Sequence, residues 1–100
     1  MPRLRPLCFA IPNGGSRNVV EAVNLKRTGV TPGVADVFCA IPHIVAGAQK
    51  HGIWLEFKAP GAKQSSAQVE FERAMLAQGY EYYVIVDWTD AKRLLENIYK

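Results

Sequence analysis

Two short apolar segments, residues 34–41 and 53–58, constrain the fold of this chain most strongly, because charged side chains interrupt both of them. Asp36 is the single carboxylate of the first segment, and the second segment is apolar until Glu56 and Lys58. Side chains alternate between the two faces of a strand, so Glu56 and Lys58 project together. If the two strands pair antiparallel across the connection between them, Asp36 can lie opposite Glu56 on the same face of a sheet.

Two neighbouring carboxylates repel each other unless a cation lies between them. Mg²⁺ is commonly held by one or two carboxylates, by water and by phosphate oxygens of a substrate. The backbone carbonyl of Phe57 is a further candidate ligand, and the Lys58 ammonium group would lie where it can position water or offset transition-state charge. Taken alone, these residues leave two interpretations open, a phosphodiester-cleaving site or ordinary solvated charges near strand ends.

Further motifs follow in a definite order along the chain. An Asn-Gly-Gly turn at residues 13–15 precedes Arg17, a Gly- and Pro-containing segment leads to Asp36, and Glu56-Phe57-Lys58 is followed by a Gly-containing loop and by Ser65-Ser66-Ala67-Gln68. In this order the motifs resemble the VRR-NUC family, the virus-type replication-repair nuclease branch of the PD-(D/E)XK superfamily. The resemblance extends over residues 7–98.

The resemblance implies an α/β restriction-endonuclease-like fold, in which helices flank a central mixed β-sheet, and one nuclease domain over residues 1–100. It also implies a structure-specific DNA endonuclease that uses Mg²⁺ or Mn²⁺. Stand-alone members are expected to be homodimers that cut branched DNA, such as a flap or a four-way (Holliday) junction.

The resemblance assigns candidate roles to individual residues. The catalytic positions fall on Asp36, Glu56, Lys58 and Gln68, and the metal ligands on Asp36, Glu56 and the Phe57 carbonyl. Candidate DNA contacts are in the turn at residues 13–15, at the start of the predicted helix that follows it, and on the loop after the strand at residues 53–58. Backbone amides at the start of a helix favour anions such as phosphate. These candidates are Asn13, Gly14, Arg17 and Lys63.

One departure from the family and two alternatives remain open at this point. Family members usually begin with a helix that carries a further Glu ahead of the first strand, and residues 1–5 are too few to form it here, so we expect that helix to be missing. The chain could instead be a non-catalytic module that binds branched DNA, or a sequence-specific restriction-type endonuclease. Ser65-X-X-Gln68 also matches a capping box, which explains Gln68 without any chemistry.

Length and hydrophobic content agree with one compact domain. The net charge is consistent with a polyanionic partner and does not by itself establish one. The chain has 100 residues, 49% of them hydrophobic, and a formal net charge of +3. No apolar run is long enough for a membrane span and the N-terminus lacks a signal-peptide pattern, so we expect a cytoplasmic location. Cys8 and Cys39 have no metal-type spacing and are expected to be free thiols.

Hydrophobic patterning and turn residues predict the order of the elements. Strands are expected over residues 4–11, 34–41, 53–58 and 82–88, and helices over residues 16–28, 65–78 and 89–99, the last one capped by Thr89 or Asp90. The connection at residues 42–52 carries Ile44 and Val45, which are unusual for a polar hairpin tip. They either pack on the domain's own core or contact a second copy of the chain.

Overall fold

The structure, a computed structural model, describes residues 6–12 and 31–98. The predicted helix at residues 16–28 and the candidate DNA contacts Asn13, Gly14 and Arg17 lie outside the described residues, as do residues 1–5. Within the described ranges the strands are β1 (Cys8–Ala10), β2 (Val37–Cys39), β3 (His43–Val45), β4 (Ala48–Lys50), β5 (Ile53–Phe57) and β6 (Glu81–Ile85), and the helices are α1 (Ser66–Ala77) and α2 (Trp88–Ile98).

The main sheet has the strand order β1-β2-β5-β6. β1 and β2 pair antiparallel, β2 and β5 pair antiparallel, and β5 and β6 pair parallel. The mixed sheet is the predicted one, and the antiparallel pairing of the two segments that carry Asp36 and Glu56 is confirmed. A parallel pair needs a crossover connection, and α1 lies in the crossover between β5 and β6.

One face of the sheet packs against α2 through strictly alternating apolar positions. On β5, Ile53 and Leu55 are fully buried and belong to one cluster with Ala91 and Leu95 of α2. The other members of that cluster come from the strands and from the loop after β2, and they are Cys39, Ile41 and Ile85. This layer is the hydrophobic core, and it leaves the other side of β5 for Trp54, Glu56 and Lys58.

The opposite face of the sheet packs against α1 through aromatic rings. The Phe71 ring of α1 lies 5.0 Å from Trp54 and 6.3 Å from Tyr82, measured between ring centroids and in edge-to-face orientation. Such contacts add stabilisation beyond the buried area. Because Glu56 lies on this same face of β5, the charged residues of the strand end up between the sheet and the beginning of α1.

The two described helices begin at different types of cap. The predicted capping box at the start of α1 is present, since Ser65 Oγ accepts from the Gln68 backbone N–H at 3.2 Å and Gln68 Oε1 accepts from the Ser65 N–H at 2.8 Å. The predicted cap of α2 was wrong. β6 ends at Ile85, earlier than expected, so Asp87 takes the cap position and accepts from the Thr89 N–H at 2.9 Å.

The connection between β2 and β5 contains a small hairpin that the sequence did not predict. β3 and β4 pair with each other in a separate two-stranded sheet. His43 ties its base to the domain, because one ring nitrogen lies 2.8 Å from the Ile41 carbonyl and the other bonds to Glu81. Ile44 at the tip stays 69% exposed, so the alternative that the tip packs on the domain's own core is not what the structure has.

No helix in the described ranges has the length and apolar character needed to cross a membrane.

Candidate active site

Asp36 immediately precedes β2 and is held against β5 on both sides of Glu56. Its backbone N–H donates to the Leu55 carbonyl at 3.0 Å. Its Oδ2 accepts from the backbone N–H of Phe57 at 2.7 Å. Asp36 therefore lies next to Glu56 across the two strands, and one of its oxygens is already oriented by the backbone.

Glu56 is the buried charged residue of the described chain, with 0% exposure. Its Oε1 accepts from Gln64 Nε2 at 3.0 Å and from the Tyr82 hydroxyl. Its Oε2 has no hydrogen-bond partner among the described residues and lies 3.7 Å from Lys58 Nζ. A buried carboxylate oxygen without a hydrogen bond is unfavourable, so this atom is suited to a ligand.

Lys58 projects on the same face as Glu56 and is held at a defined position by α1. Its Nζ donates to Gln68 Oε1 at 2.7 Å. The same oxygen accepts from the Ser65 N–H in the capping box. Gln68 therefore caps the helix, as predicted, and also contacts the ammonium group of Lys58.

Gly33 brings the segment before Asp36 into close contact with the first turn of α1. It has φ of +80°, and a Cβ added there would lie 2.3 Å from the Ala67 carbonyl oxygen. Only glycine fits both the left-handed backbone and this close approach. A cavity of about 290 Å³ opens at this junction, and its lining includes Asp36, Ser65 and Gln68.

The residues of this site fit a hard divalent cation. The described part of the chain contains no group of three or more His, Cys, Asp or Glu side chains that could hold a metal. The predicted set is smaller than such a group and consists of the carboxylates of Asp36 and Glu56 with the carbonyl of Phe57. These are oxygen donors, and Mg²⁺ or Mn²⁺ is commonly bound by few carboxylates with water and phosphate as the other ligands. The Oε2 of Glu56, which is buried and accepts no hydrogen bond from the described residues, supports this fit.

Comparisons with known proteins identify the fold. No protein-family model matches the chain, and no curated protein matches it. A solved structure described as a VRR_NUC domain protein matches with a TM-score of 0.76, at 22% sequence identity, over 96% of this chain and 70% of that chain. The chain has the VRR-NUC fold. The resemblance that was read from the spaced motifs is thus confirmed in the architecture, including the restriction-endonuclease-like mixed sheet.

On this VRR-NUC fold, four of the predicted site residues come together. Asp36, Glu56, Lys58 and Gln68 meet where the end of β5 faces the start of α1. The side chain of Phe57 points to the other face of the sheet, where its ring lies 5.9 Å from Trp88, so its backbone alone can face the site. The candidate DNA contact Lys63 is exposed on the loop that leaves β5.

Three further residues surround Glu56 and were not identified from the sequence. Gln64 and Tyr82 bond to its Oε1, and Glu72 accepts from the other amide hydrogen of Gln64 at 2.9 Å. The pKa of Tyr82 is raised above its ordinary value, chiefly by burial and secondly by the hydrogen bond to Glu56, so the hydroxyl keeps its proton and remains a donor. The apolar pattern of residues 82–88 predicted a strand, but nothing in it indicated that Tyr82 has a partner on β5.

Proposed function

We propose that this chain is a metal-dependent DNA endonuclease that hydrolyses phosphodiester bonds, with one nuclease domain over residues 1–100 and a cytoplasmic location. The observation that carries the proposal is the buried Oε2 of Glu56, which has no hydrogen bond among the described residues and lies 3.7 Å from Lys58 Nζ, in a residue adjacent to Asp36 on a VRR-NUC fold. Mg²⁺ or Mn²⁺ held by Asp36, Glu56 and the Phe57 carbonyl would polarise the phosphate and lower the pKa of a bound water.

The chain's own side chains supply positioned charge. Lys58 lies between Glu56 Oε2 and Gln68 Oε1, so its ammonium group is fixed before any substrate binds. A fixed cation beside the scissile phosphate stabilises the charge that develops in the transition state without reorganisation. Gln68 acts by holding Lys58 in place, and the capping box in turn holds Gln68.

The substrate that we propose is branched DNA, a four-way junction or a flap. The net charge of +3 suits a polyanion, and Lys63 is exposed on the loop that leaves the site. Asn13, Gly14 and Arg17 are proposed as further phosphate contacts on the basis of the family resemblance. Phosphate contacts of this kind position DNA without reading its sequence, which agrees with recognition of structure.

We also propose that the chain acts as a homodimer through the tip of the β3–β4 hairpin. Ile44 is 69% and Val45 38% exposed. The two side chains are consecutive on β3 and project to opposite faces of the hairpin, and large exposed apolar side chains can mark a contact surface. A two-fold contact between identical hairpin tips would place two sites on one molecule of branched DNA.

The nuclease proposal is tested with labelled four-way junction, flap and plain duplex DNA in Mg²⁺ or Mn²⁺. Lys58→Met keeps most of the length of the side chain and removes its charge, and we expect the cleavage rate to fall at least about 100-fold while junction binding is retained. Lys92→Met, an exposed position on α2, is the matched control and should cut as the wild type does.

Each contrary outcome of this assay has a defined meaning. Cleavage by Lys58→Met at the wild-type rate contradicts the assigned role of Lys58. Tight junction binding without metal-dependent cutting by the wild type identifies a binding module. Cleavage confined to one short duplex sequence identifies a restriction-type enzyme.

The dimer proposal is tested by the mass in solution. Ile44→Asp should convert a dimer into a monomer in light scattering at micromolar concentration, because it places a charge in an apolar contact. Asn97→Asp, at an exposed position of α2, adds the same charge away from the hairpin and should stay dimeric. A monomeric wild type contradicts the proposal.

A further inference from the structure

The two carboxylate oxygens of Glu56 have very different surroundings. Oε1 accepts two hydrogen bonds, one from Gln64 Nε2 at 3.0 Å and one from the Tyr82 hydroxyl. A carboxylate oxygen has about two lone-pair sites, so these two donors fill the acceptor capacity of Oε1. Oε2 has no hydrogen-bond partner in the described part of the chain. A cation that reaches Glu56 therefore meets one oxygen and not both.

Both donors are themselves held in place by other elements. Tyr82 lies on β6 directly beside Trp54, two residues before Glu56 on β5, and its ring packs against Phe71 of α1 at 6.3 Å. Gln64 uses its second amide hydrogen on Glu72 Oε1 at 2.9 Å, so the orientation of the amide group is fixed. The carboxylate of Glu56 is thus clamped from β6 and from the loop before α1.

We propose that Tyr82 and Gln64 are positioning residues that restrict Glu56 to binding a metal ion through Oε2 alone. The proposal rests on the metal-dependent function proposed above and goes beyond it, because it assigns a basis for metal selectivity. Glu72 is the anchor that keeps Gln64 in this role.

Coordination through one oxygen discriminates between divalent ions. Mg²⁺ requires nearly ideal octahedral geometry, and the narrow angle of a bidentate carboxylate does not suit it. Ca²⁺ accepts more ligands, longer bonds and bidentate carboxylates. With Oε1 occupied, the site favours Mg²⁺ or Mn²⁺, whereas removal of the donors on Oε1 frees Glu56 for bidentate coordination of Ca²⁺.

The experiment compares the affinities for Mg²⁺, Mn²⁺ and Ca²⁺ in the absence of DNA by isothermal titration calorimetry. Tyr82→Phe removes one donor and keeps the ring against Phe71, and Gln64→Leu removes the other. We expect each variant to lose about tenfold in Mg²⁺ affinity, as is typical when a group behind a metal ligand is removed. We expect a smaller loss, or a gain, for Ca²⁺, so that the ratio of the two dissociation constants changes.

Tyr83→Phe is the matched control for Tyr82→Phe. It removes a hydroxyl from the adjacent residue of the same strand, where the partner is Glu81 on the other side of the sheet. Its metal affinities should equal those of the wild type. The melting temperature of every variant shows that the fold is retained, and a general loss of structure would lower all three affinities together and leave their ratio unchanged.

The outcomes separate this inference from the proposed function. Glu56→Gln should abolish binding of all three ions. If it does, and Tyr82→Phe and Gln64→Leu both keep the wild-type ratio of Mg²⁺ to Ca²⁺ affinity, the inference is overturned and the proposed function stands. If the wild type binds none of the ions and cuts no DNA, both are overturned.

Discussion

Gly33 is the residue at which a single added methyl group should separate the two halves of the candidate site. It has φ of +80°, and an added Cβ would lie 2.3 Å from the Ala67 carbonyl oxygen and 2.7 Å from the Gln68 nitrogen. The first distance is about 0.7 Å below the 3.0 Å that real Cβ atoms respect. In Gly33→Ala, either the segment before Asp36 or the start of α1 must therefore move by roughly that amount.

Two costs add in this variant. The left-handed conformation costs about 1–2 kcal/mol for a residue with a Cβ. Forcing an atom into backbone that is already in contact costs about 1–3 kcal/mol more. The free energy of unfolding should thus fall by about 2–5 kcal/mol. The displacement lies between Asp36 and Gln68, and misplacement of a catalytic group by about 1 Å can lower the rate about 100-fold.

The assay combines urea unfolding with junction cleavage, and the chain offers matched controls. Gly47 and Gly61 have φ of +81° and +80°, and an added Cβ meets nothing within 4 Å at either position. Gly47→Ala and Gly61→Ala should lose only the conformational part, about 1–2 kcal/mol. The reasoning is refuted if Gly33→Ala is no less stable than these controls and cuts DNA at the wild-type rate.

The ionisation of a tyrosine, a pair of thiols and a helix cap provide three more tests. Burial, with a hydrogen bond to a carboxylate, raises the pKa of Tyr83 from 10.0 to about 12. Because this raised pKa belongs to the folded state, the stabilisation is present below pH 10 and is lost as the pH rises to about 12. The stability measured by urea unfolding should fall less over that range in Tyr83→Phe than in the wild type, by on the order of 1 kcal/mol after allowance for solvent screening. Equal slopes in the two proteins would contradict this. Cys8 lies directly opposite Cys39 on β1 and β2, so oxidation by diamide should join the two thiols in a disulfide bond. The melting temperature should then rise by about 10 °C, and Cys39→Ser should abolish this increase. Ser65→Ala should lower stability by about 1 kcal/mol and change the cleavage rate less than a substitution of Gln68 does.

The central residues of the site followed from local patterns in the sequence. The alternation of side chains along one strand places Glu56 and Lys58 on one face, whatever the rest of the fold is. The position of Asp36 required one further step, the antiparallel pairing of two strands joined by a short connection. That step requires only that the two apolar segments are close in sequence and that each has the pattern of a strand. The antiparallel pairing of β2 with β5 confirms it.

The surroundings of Glu56 could not be predicted in the same way, because they depend on contacts between distant segments. Tyr82 reaches Glu56 only because β6 pairs parallel to β5, and 26 residues separate the two in sequence. A Tyr on an alternating strand is equally consistent with simple core packing. The cap at Asp87 was not predicted for a related reason. Pairing with β5 ends β6 at Ile85, although the apolar run continues to Val86, and the earlier strand end lets the helix begin after Asp87.

Gln68 shows why a structural and a functional interpretation of one residue need not compete. Its Oε1 accepts from the Ser65 N–H at 2.8 Å and from Lys58 Nζ at 2.7 Å. A carbonyl oxygen has two lone pairs, so the two bonds are compatible. The capping box already restricts the rotamer of the Gln68 side chain. The hydrogen bond from Lys58 therefore costs little further conformational entropy of Gln68, because that entropy was lost when the helix formed. A helix cap at the edge of a charged site thus becomes a rigid positioning group, which explains how a small domain can hold the Lys58 ammonium group with a residue that also stabilises its fold.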